Sequence, residues 1–261
     1  MALQIVAPQT HPDTYFGAVP PSPVFSEPQT HGHRLIAIAD RLATEYRNVA
    51  VGAELAAFLE SEKFLFVVMD GWMFRNAILE DGRRQILDLM LPGDMIVGRR
   101  SGYTEVSQSI DAITDATVAL IPIHLVSEVI QEMPSLALTL LAASQDALYA
   151  SYESLVDTGR RTSLEAVAHF LVRIEARAAN SIGRTANGTV SFPLIQEHIG
   201  DAIGLTAVHV CRTLRKLKTA GVIEMGRGWL KIVDRGRIAE IAGIWEDTGF
   251  ETEHPVRRLA S

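Results

Sequence analysis

Cysteine is almost absent: Cys211 is the single one in 261 residues. That excludes an internal disulfide, and any zinc or iron–sulfur site built from several cysteines of one chain. No apolar run approaches about 18 residues, so no membrane-spanning helix is expected. The N-terminus lacks the basic-then-apolar pattern of a secretory leader, which points to the cytoplasm. No histidine lies between Arg34 and Ile123. What is present is the balance of a soluble globular protein, 48 % hydrophobic and 21 % charged.

The net charge of −7 argues at first against a polyanionic partner, but the charge is unevenly spread. Arg160 to Arg237 carries 13 basic and 6 acidic residues, and the remainder 11 basic and 25 acidic. Opposite signs in two regions point to two domains with different partners.

Six of the 11 prolines fall in residues 1–33, where no apolar periodicity survives. This stretch is read as a disordered arm, and His31 and His33 within it as no metal site. From Val49 to Pro122 the pattern is that of strands. Phe64 to Met69 is an apolar run, followed by Asp70-Gly71, a two-residue hairpin signal, and by a return strand from Trp72 to Leu79. Asp81-Gly82 marks a second turn, Ile86 to Leu91 alternates, and Val106 to Ile121 adds one or two short strands. Short strands at this spacing predict a small antiparallel barrel or sandwich.

Pro134 stands where a helix begins, and neither proline nor glycine interrupts Ser135 to Thr158. Leu138, Leu141, Gln145, Leu148, Tyr152 and Leu155 repeat at 3-4-3-4-3, the seam of a coiled coil. Leu136, Leu140, Ala143, Ala147 and Ala150 make a second face of smaller residues. A helix apolar on two faces has two things to pack against: its own barrel, and an identical helix of a partner. A core helix of a monomer is the alternative. Gly159 then offers a hinge, and Ser163 to Ala179 reads as a further helix.

Gln196 to Ile203 reads as a short helix, Gly204-Leu205 as a turn, and Thr206 as the N-cap of a helix ending near Ala220, with Gly221 after it. That is a helix-turn-helix. Ala207, Val210, Leu214 and Leu217 fall on one face. Val208, His209, Cys211, Arg212, Arg215 and Lys216 fall on the other, a basic surface suited to base edges and phosphates. Val222 to Met225 and Trp229 to Val233 form a hairpin around Gly226-Arg227-Gly228, a wing with Arg227 at its tip. Arg227 either touches a phosphate or is an ordinary solvated turn residue.

The run Leu205-Thr-Ala-Val-His-Val-Cys-Arg-Thr-Leu-Arg-Lys-Leu217 followed by Ala-Gly-Val-Ile223 resembles the recognition helix of Crp/Fnr-type transcription regulators. Phe66-Val-Val-Met-Asp-Gly-Trp72, Leu79-Glu-Asp-Gly-Arg-Arg-Gln-Ile-Leu87 and Leu91-Pro-Gly-Asp94 resemble the cyclic-nucleotide-binding-like barrel of that family. The resemblance covers roughly residues 35–245. It implies an α+β chain with an N-terminal antiparallel β-barrel, a long dimerisation helix and a C-terminal winged helix-turn-helix. The expected divisions are an arm (1–33), an effector-type barrel (34–133), the dimerisation helix (134–158), the DNA-binding domain (159–245) and a flexible tail (246–261). It also implies a homodimer on double-stranded DNA, with RNA polymerase as a further partner.

Departures from the family pattern bear on cofactors. The family's cyclic AMP site has Gly-Glu-Leu and then Arg-Ser. Here Gly98 is followed by Arg99 and Arg100, which read as solvated loop residues, and the later position is Ser107-Gln108, so cyclic AMP is not expected. The cysteines of an Fnr-type cluster are missing, and the histidine-free barrel offers no haem or metal ligand. In the recognition helix the family's glutamate is Val208, while Arg212 matches the arginine that reads guanine. The expectation is a TTGA-like half-site. Arg212 would sit on guanine, Val208 on a thymine methyl, and Arg215, Lys216 and Thr206 on phosphates. Cys211 is either a redox-sensitive thiol beside the DNA or a small residue at a half-buried edge. Two other readings remain at this point: a ligand-binding barrel whose winged helix binds protein, and an enzyme using the barrel pocket, which lacks a credible catalytic set.

Overall fold

A computed structural model of the protein describes residues 29–55, 63–97 and 107–244. In chain order it contains α1 (Gln29–Leu42), β1 (Glu45–Val49), β2 (Phe64–Asp70), β3 (Met73–Ile78), β4 (Arg84–Met90), β5 (Met95–Val97), β6 (Ser107–Ala112) and β7 (Ala116–Pro122). The helices α2 (Ile123–Glu132), α3 (Ser135–Gly159) and α4 (Ser163–Ser181) follow. Then come β8 (Val190–Phe192), α5 (Gln196–Ile203), α6 (Ala207–Thr219), β9 (Ile223–Gly226), β10 (Gly228–Ile232) and α7 (Arg235–Ala242).

The first seven strands form two antiparallel sheets, ordered β1-β7-β2-β5 and β4-β3-β6. Their facing sides close on one apolar core. Phe66 and Val68 of β2, Val118 and Leu120 of β7, Met73 of β3 and Ile110 of β6 all point into it. The alternate residues of β2 and β7 point the other way. Leu65, Val67, Ala119 and Ile121 pack beneath Leu35 and Ala39 of α1, Val126 of α2 and Leu136 of α3. A strand covered on both faces explains why Phe64 to Met69 is continuously apolar rather than alternating. Each such side chain contributes about 1.5–3 kcal/mol on burial.

The Asp70-Gly71 hairpin is not formed. β2 pairs with β7 and β5, and β3 pairs with β4 and β6, so Asp70-Gly71 is the corner where the chain leaves one sheet for the other. Gly71 has φ +85°, and a Cβ there would run into Asp115 and Ala116. The second turn does make a hairpin: the Gly82 N–H donates to the Leu79 carbonyl, and Ile78 faces Arg84 across it. The expectation of disorder over residues 1–33 fails at its end. Residues 29–33 belong to α1, where His31 is buried and Gly32 lies against the backbone of Gly93. The rest of that arm, the loop carrying Arg99 and Arg100, and the tail from 246 onward fall outside the described residues.

The long helix spans Ser135–Gly159, and its small-residue face turns inward. Leu136 is buried, with Leu140 and Ala143 packed beside it against α1 and the barrel, although Ala147 on the same face is exposed. The C-terminal domain adds two elements that the sequence reading lacked. β8 joins the wing as a third strand, in the order β8-β10-β9, and α7 packs along α4.

Candidate nucleic-acid interface

The helix-turn-helix is built by two glycines. Gly204 adopts φ +71° and ends α5 in a left-handed turn. Gly200 lies directly under the Leu205 carbonyl, where any Cβ would collide with it. Thr206 then caps α6, its hydroxyl accepting from the His209 N–H at 3.3 Å. The same hydroxyl lies 2.9 Å from His209 Nδ1, so the cap also orients that ring. Val210, Leu214 and Leu217 are buried against Ile199, Ala202 and Ile203 of α5. Thr213 is buried beside them.

The opposite face of α6 is open. Val208 is 59 % exposed, His209, Arg212, Arg215 and Lys216 are exposed, and Cys211 is half-buried at the edge. Ala207, expected on the buried face, is exposed as well. It sits in the first turn of α6, before the helix reaches its neighbour. Arg227 is exposed at the tip of the wing. Gly226 beside it is covered by the Trp229 indole, which leaves no room for a side chain. Lys218, outside the set expected from the helical face, is exposed on the flank of α6.

Charge pairing separates these cations from six other arginines of the domain. Arg161, Arg173, Arg177, Arg184, Arg235 and Arg237 each sit within 4 Å of a carboxylate. Among the described residues no carboxylate lies within that distance of Arg212, Arg215, Lys216 or Arg227. Among the described residues Arg160 and Lys231 also lack a carboxylate within that distance, but Arg212, Arg215, Lys216, Lys218 and Arg227 gather most of the unneutralised positive charge on α6 and the wing tip. Such a surface favours phosphate.

A model of the Crp-like helix-turn-helix domain matches residues 165–241. The chain is 32 % identical over 208 residues to the transcriptional activator protein FnrL of Cereibacter sphaeroides, covering 78 % of this chain and 83 % of that one. It is 33 % identical over 176 residues to the nitrogen fixation regulation protein FixK of Bradyrhizobium diazoefficiens, covering 67 % and 72 %. The solved structure of FixK2 from Bradyrhizobium japonicum superposes with a TM-score of 0.64 at 27 % identity, covering 76 % of this chain and 96 % of that one. The chain belongs to the Crp/Fnr family of DNA-binding transcription regulators.

In this Crp/Fnr regulator three polar clusters hold the DNA-binding domain in place. Residues far apart in sequence supply two of them. At the end of α3 the Asp157 carboxylate is wholly buried. It accepts from Arg161 at 2.6 Å and lies 2.9 Å from His169 Nδ1 on α4. Glu153 closes the other side of the imidazole at 3.1 Å. Within the domain, buried Glu175 accepts from both Arg184, at 3.0 Å, and Arg235, at 2.8 Å, which ties α4 to the segments that follow it. Between barrel and reader, Arg84 of β4 donates to Asp201 of α5 at 2.8 Å and stacks 5.1 Å over Phe74. His198 packs on the same ring at 5.5 Å. Burial, and then the nearby Arg84 charge, push the His198 pKa below its usual value.

Proposed function

We propose that this regulator binds a pseudo-palindromic DNA site with TTGA-like arms as a homodimer, reading it with α6. The observation that carries the proposal is the exposed, unneutralised face of that helix, set opposite the buried Val210, Leu214 and Leu217. Arg212 donates two hydrogen bonds to guanine and Val208 packs on a thymine methyl. Thr206, Arg215 and Lys216 hold phosphates, with His209 beside them and Arg227 on the flanking backbone. The dimer forms along α3, where Leu138, Leu141, Leu148, Tyr152 and Leu155 are 40–69 % exposed in one chain and Gln145 lies among them. A two-fold axis there sets two recognition helices about one DNA turn apart. RNA polymerase in the cytoplasm is the onward partner. In this reading the chain catalyses no reaction, and its DNA binding requires no iron–sulfur cluster, haem or cyclic AMP. The single cysteine and the missing glutamate after Gly98 support that.

Selection of bound sequences from random duplex DNA, with purified protein and no added effector, tests this. A palindrome with TGA in each arm is expected. Arg212→Ala should cost about 1–3 kcal/mol and relax preference at one base, and affinity should fall steeply with salt. Unchanged base preference in that variant removes Arg212 from the guanine. No enrichment at low salt overturns the proposal.

A further inference from the structure

Two successive side chains of β4 hold α5, and between them they reach both of its ends. Arg84 Nε and Nη2 each lie 2.8 Å from Asp201 Oδ2, and Nη2 also stands 3.5 Å from Glu197 in the first turn. Arg84 and Asp201 are both half-buried, so solvent screens the pair only in part. Gln85 Nε2 donates to the Ala202 carbonyl at 3.3 Å, in the last turn, where a helix leaves its carbonyls without partners of its own. Phe74 of β3 packs on both sides of this contact, 5.1 Å from the Arg84 guanidinium and 5.5 Å from the His198 ring.

Farther along the same strand the attachment passes to α4. Arg177 donates to the Leu89 carbonyl at 2.9 Å, and Ser181 to the Pro92 carbonyl just past the end of β4. Arg84 and Leu89 stand roughly 15 Å apart along the strand, so the two attachments together oppose tilt and rotation of the domain. The Asp157 cluster fixes where the DNA-binding domain begins, and the β4 contacts fix which way it faces. α6 inherits that placement: it follows α5 after the Gly204 turn and packs on it through Val210, Leu214 and Leu217. A contact made on α5 therefore orients the exposed face of α6.

We propose that β4 is the ruler for operator spacing: Arg84, helped by Gln85, holds each α5 so that the dimer accepts one distance and one phase between the two arms of its site. The inference rests on the reading of α6 as the DNA-contacting helix of a homodimer. Two linked modules bind a pair of sites with an effective concentration that peaks where the mounting matches the span. A stiff mounting makes that peak high and narrow, and a loose one lowers and broadens it. Arg84 is a positioning residue, acting through α5.

Fluorescence anisotropy of the full-length protein on three duplexes tests this: the selected palindrome, the palindrome with two base pairs inserted between its arms, and a single half-site. The insertion turns one arm by roughly 70° and moves it about 7 Å. Wild type should bind the inserted duplex about thirtyfold or more weakly than the palindrome. Arg84→Glu sets a third acid against Asp201 and Glu197, and the like charges push α5 off the strand. In that variant the palindrome should weaken by about tenfold and the insertion penalty should shrink to about threefold or less, with half-site affinity within about twofold of wild type. Arg84→Lys keeps a cation at Asp201, and Arg83→Gln removes an arginine paired with Asp81 in the neighbouring turn; both should keep the wild-type penalty. An insertion penalty in Arg84→Glu equal to that of wild type, or a wild type indifferent to the insertion, overturns the inference and leaves recognition by α6 standing. So does a half-site affinity that falls as far as the palindrome's, because the damage is then to the binding surface itself. Wild-type protein that binds neither palindrome nor half-site overturns the reading of α6, and this inference falls with it.

Discussion

Replacing Asp157 with asparagine removes one charge and almost no volume at the joint between the dimer helix and the DNA-binding domain. The carboxylate is 0 % exposed, and Arg161, its 2.6 Å partner, is 18 % exposed. Removing one member of a buried pair costs about 3–5 kcal/mol, because the other charge stays out of water. Here Arg161 keeps a second acid, Glu153, at 3.5 Å, which moderates the loss. His169 keeps Glu153 too, at 3.1 Å. The expected cost is therefore at the lower end, about 3 kcal/mol. For a chain of this length that is a fall in melting temperature of about 6–12 °C. Calorimetry or circular dichroism reads it directly. A double-mutant cycle with Arg161→Gln should return a coupling of about 1–3 kcal/mol. A fall under about 2 °C, or a coupling near zero, would show that solvent already satisfies these groups and would refute the reasoning.

Leu148→Glu places like charges opposite each other in the proposed seam, so sedimentation at micromolar protein should read a monomer; a stable dimer would move the interface off α3. The lowered pKa of His198 makes its neutral form the one the fold prefers. The unfolded chain takes up the proton first as pH falls below the ordinary value near 6.5, so stability present above that pH should be lost as pH falls through the lower folded value. Denaturant midpoints between pH 7.5 and 5 should fall in wild type and fall less in His198→Phe, and parallel slopes would remove the assignment.

The sequence reveals the parts of this fold whose pattern is local. The 3-4 spacing of α3, the glycine turn before Thr206 and the alternation of the wing are all visible without partners. Elements whose identity depends on distant neighbours are not. Asp70-Gly71 has the composition of a hairpin, yet the strands on either side of it belong to different sheets, and only the packing of Gly71 on Ala116 shows why. β8 has three residues, too few to show a period, and is defined by its pairing with β10. α7 contains a glycine and is held by its contact with α4. The candidate surface was legible because α6 carries both of its faces within 13 residues. The ion clusters that position it were not, since Arg84 and Asp201, or Glu175 and Arg235, lie 117 and 60 residues apart.

The outer face of the β4-β3-β6 sheet has a consequence for how this regulator can be divided. Trp72, Phe74, Ile86 and Leu89 lie in one continuous apolar cluster with Ile199, Val210 and Ile238 of the DNA-binding domain. Barrel and DNA-binding domain are therefore not beads on a string. Heating should give one calorimetric peak rather than two, since neither half can melt without stripping the other. A fragment cut after Gly159 would bare an aromatic surface and tend to aggregate, and a DNA-binding domain grafted onto another barrel would need the matching outer face as well as the matching helix.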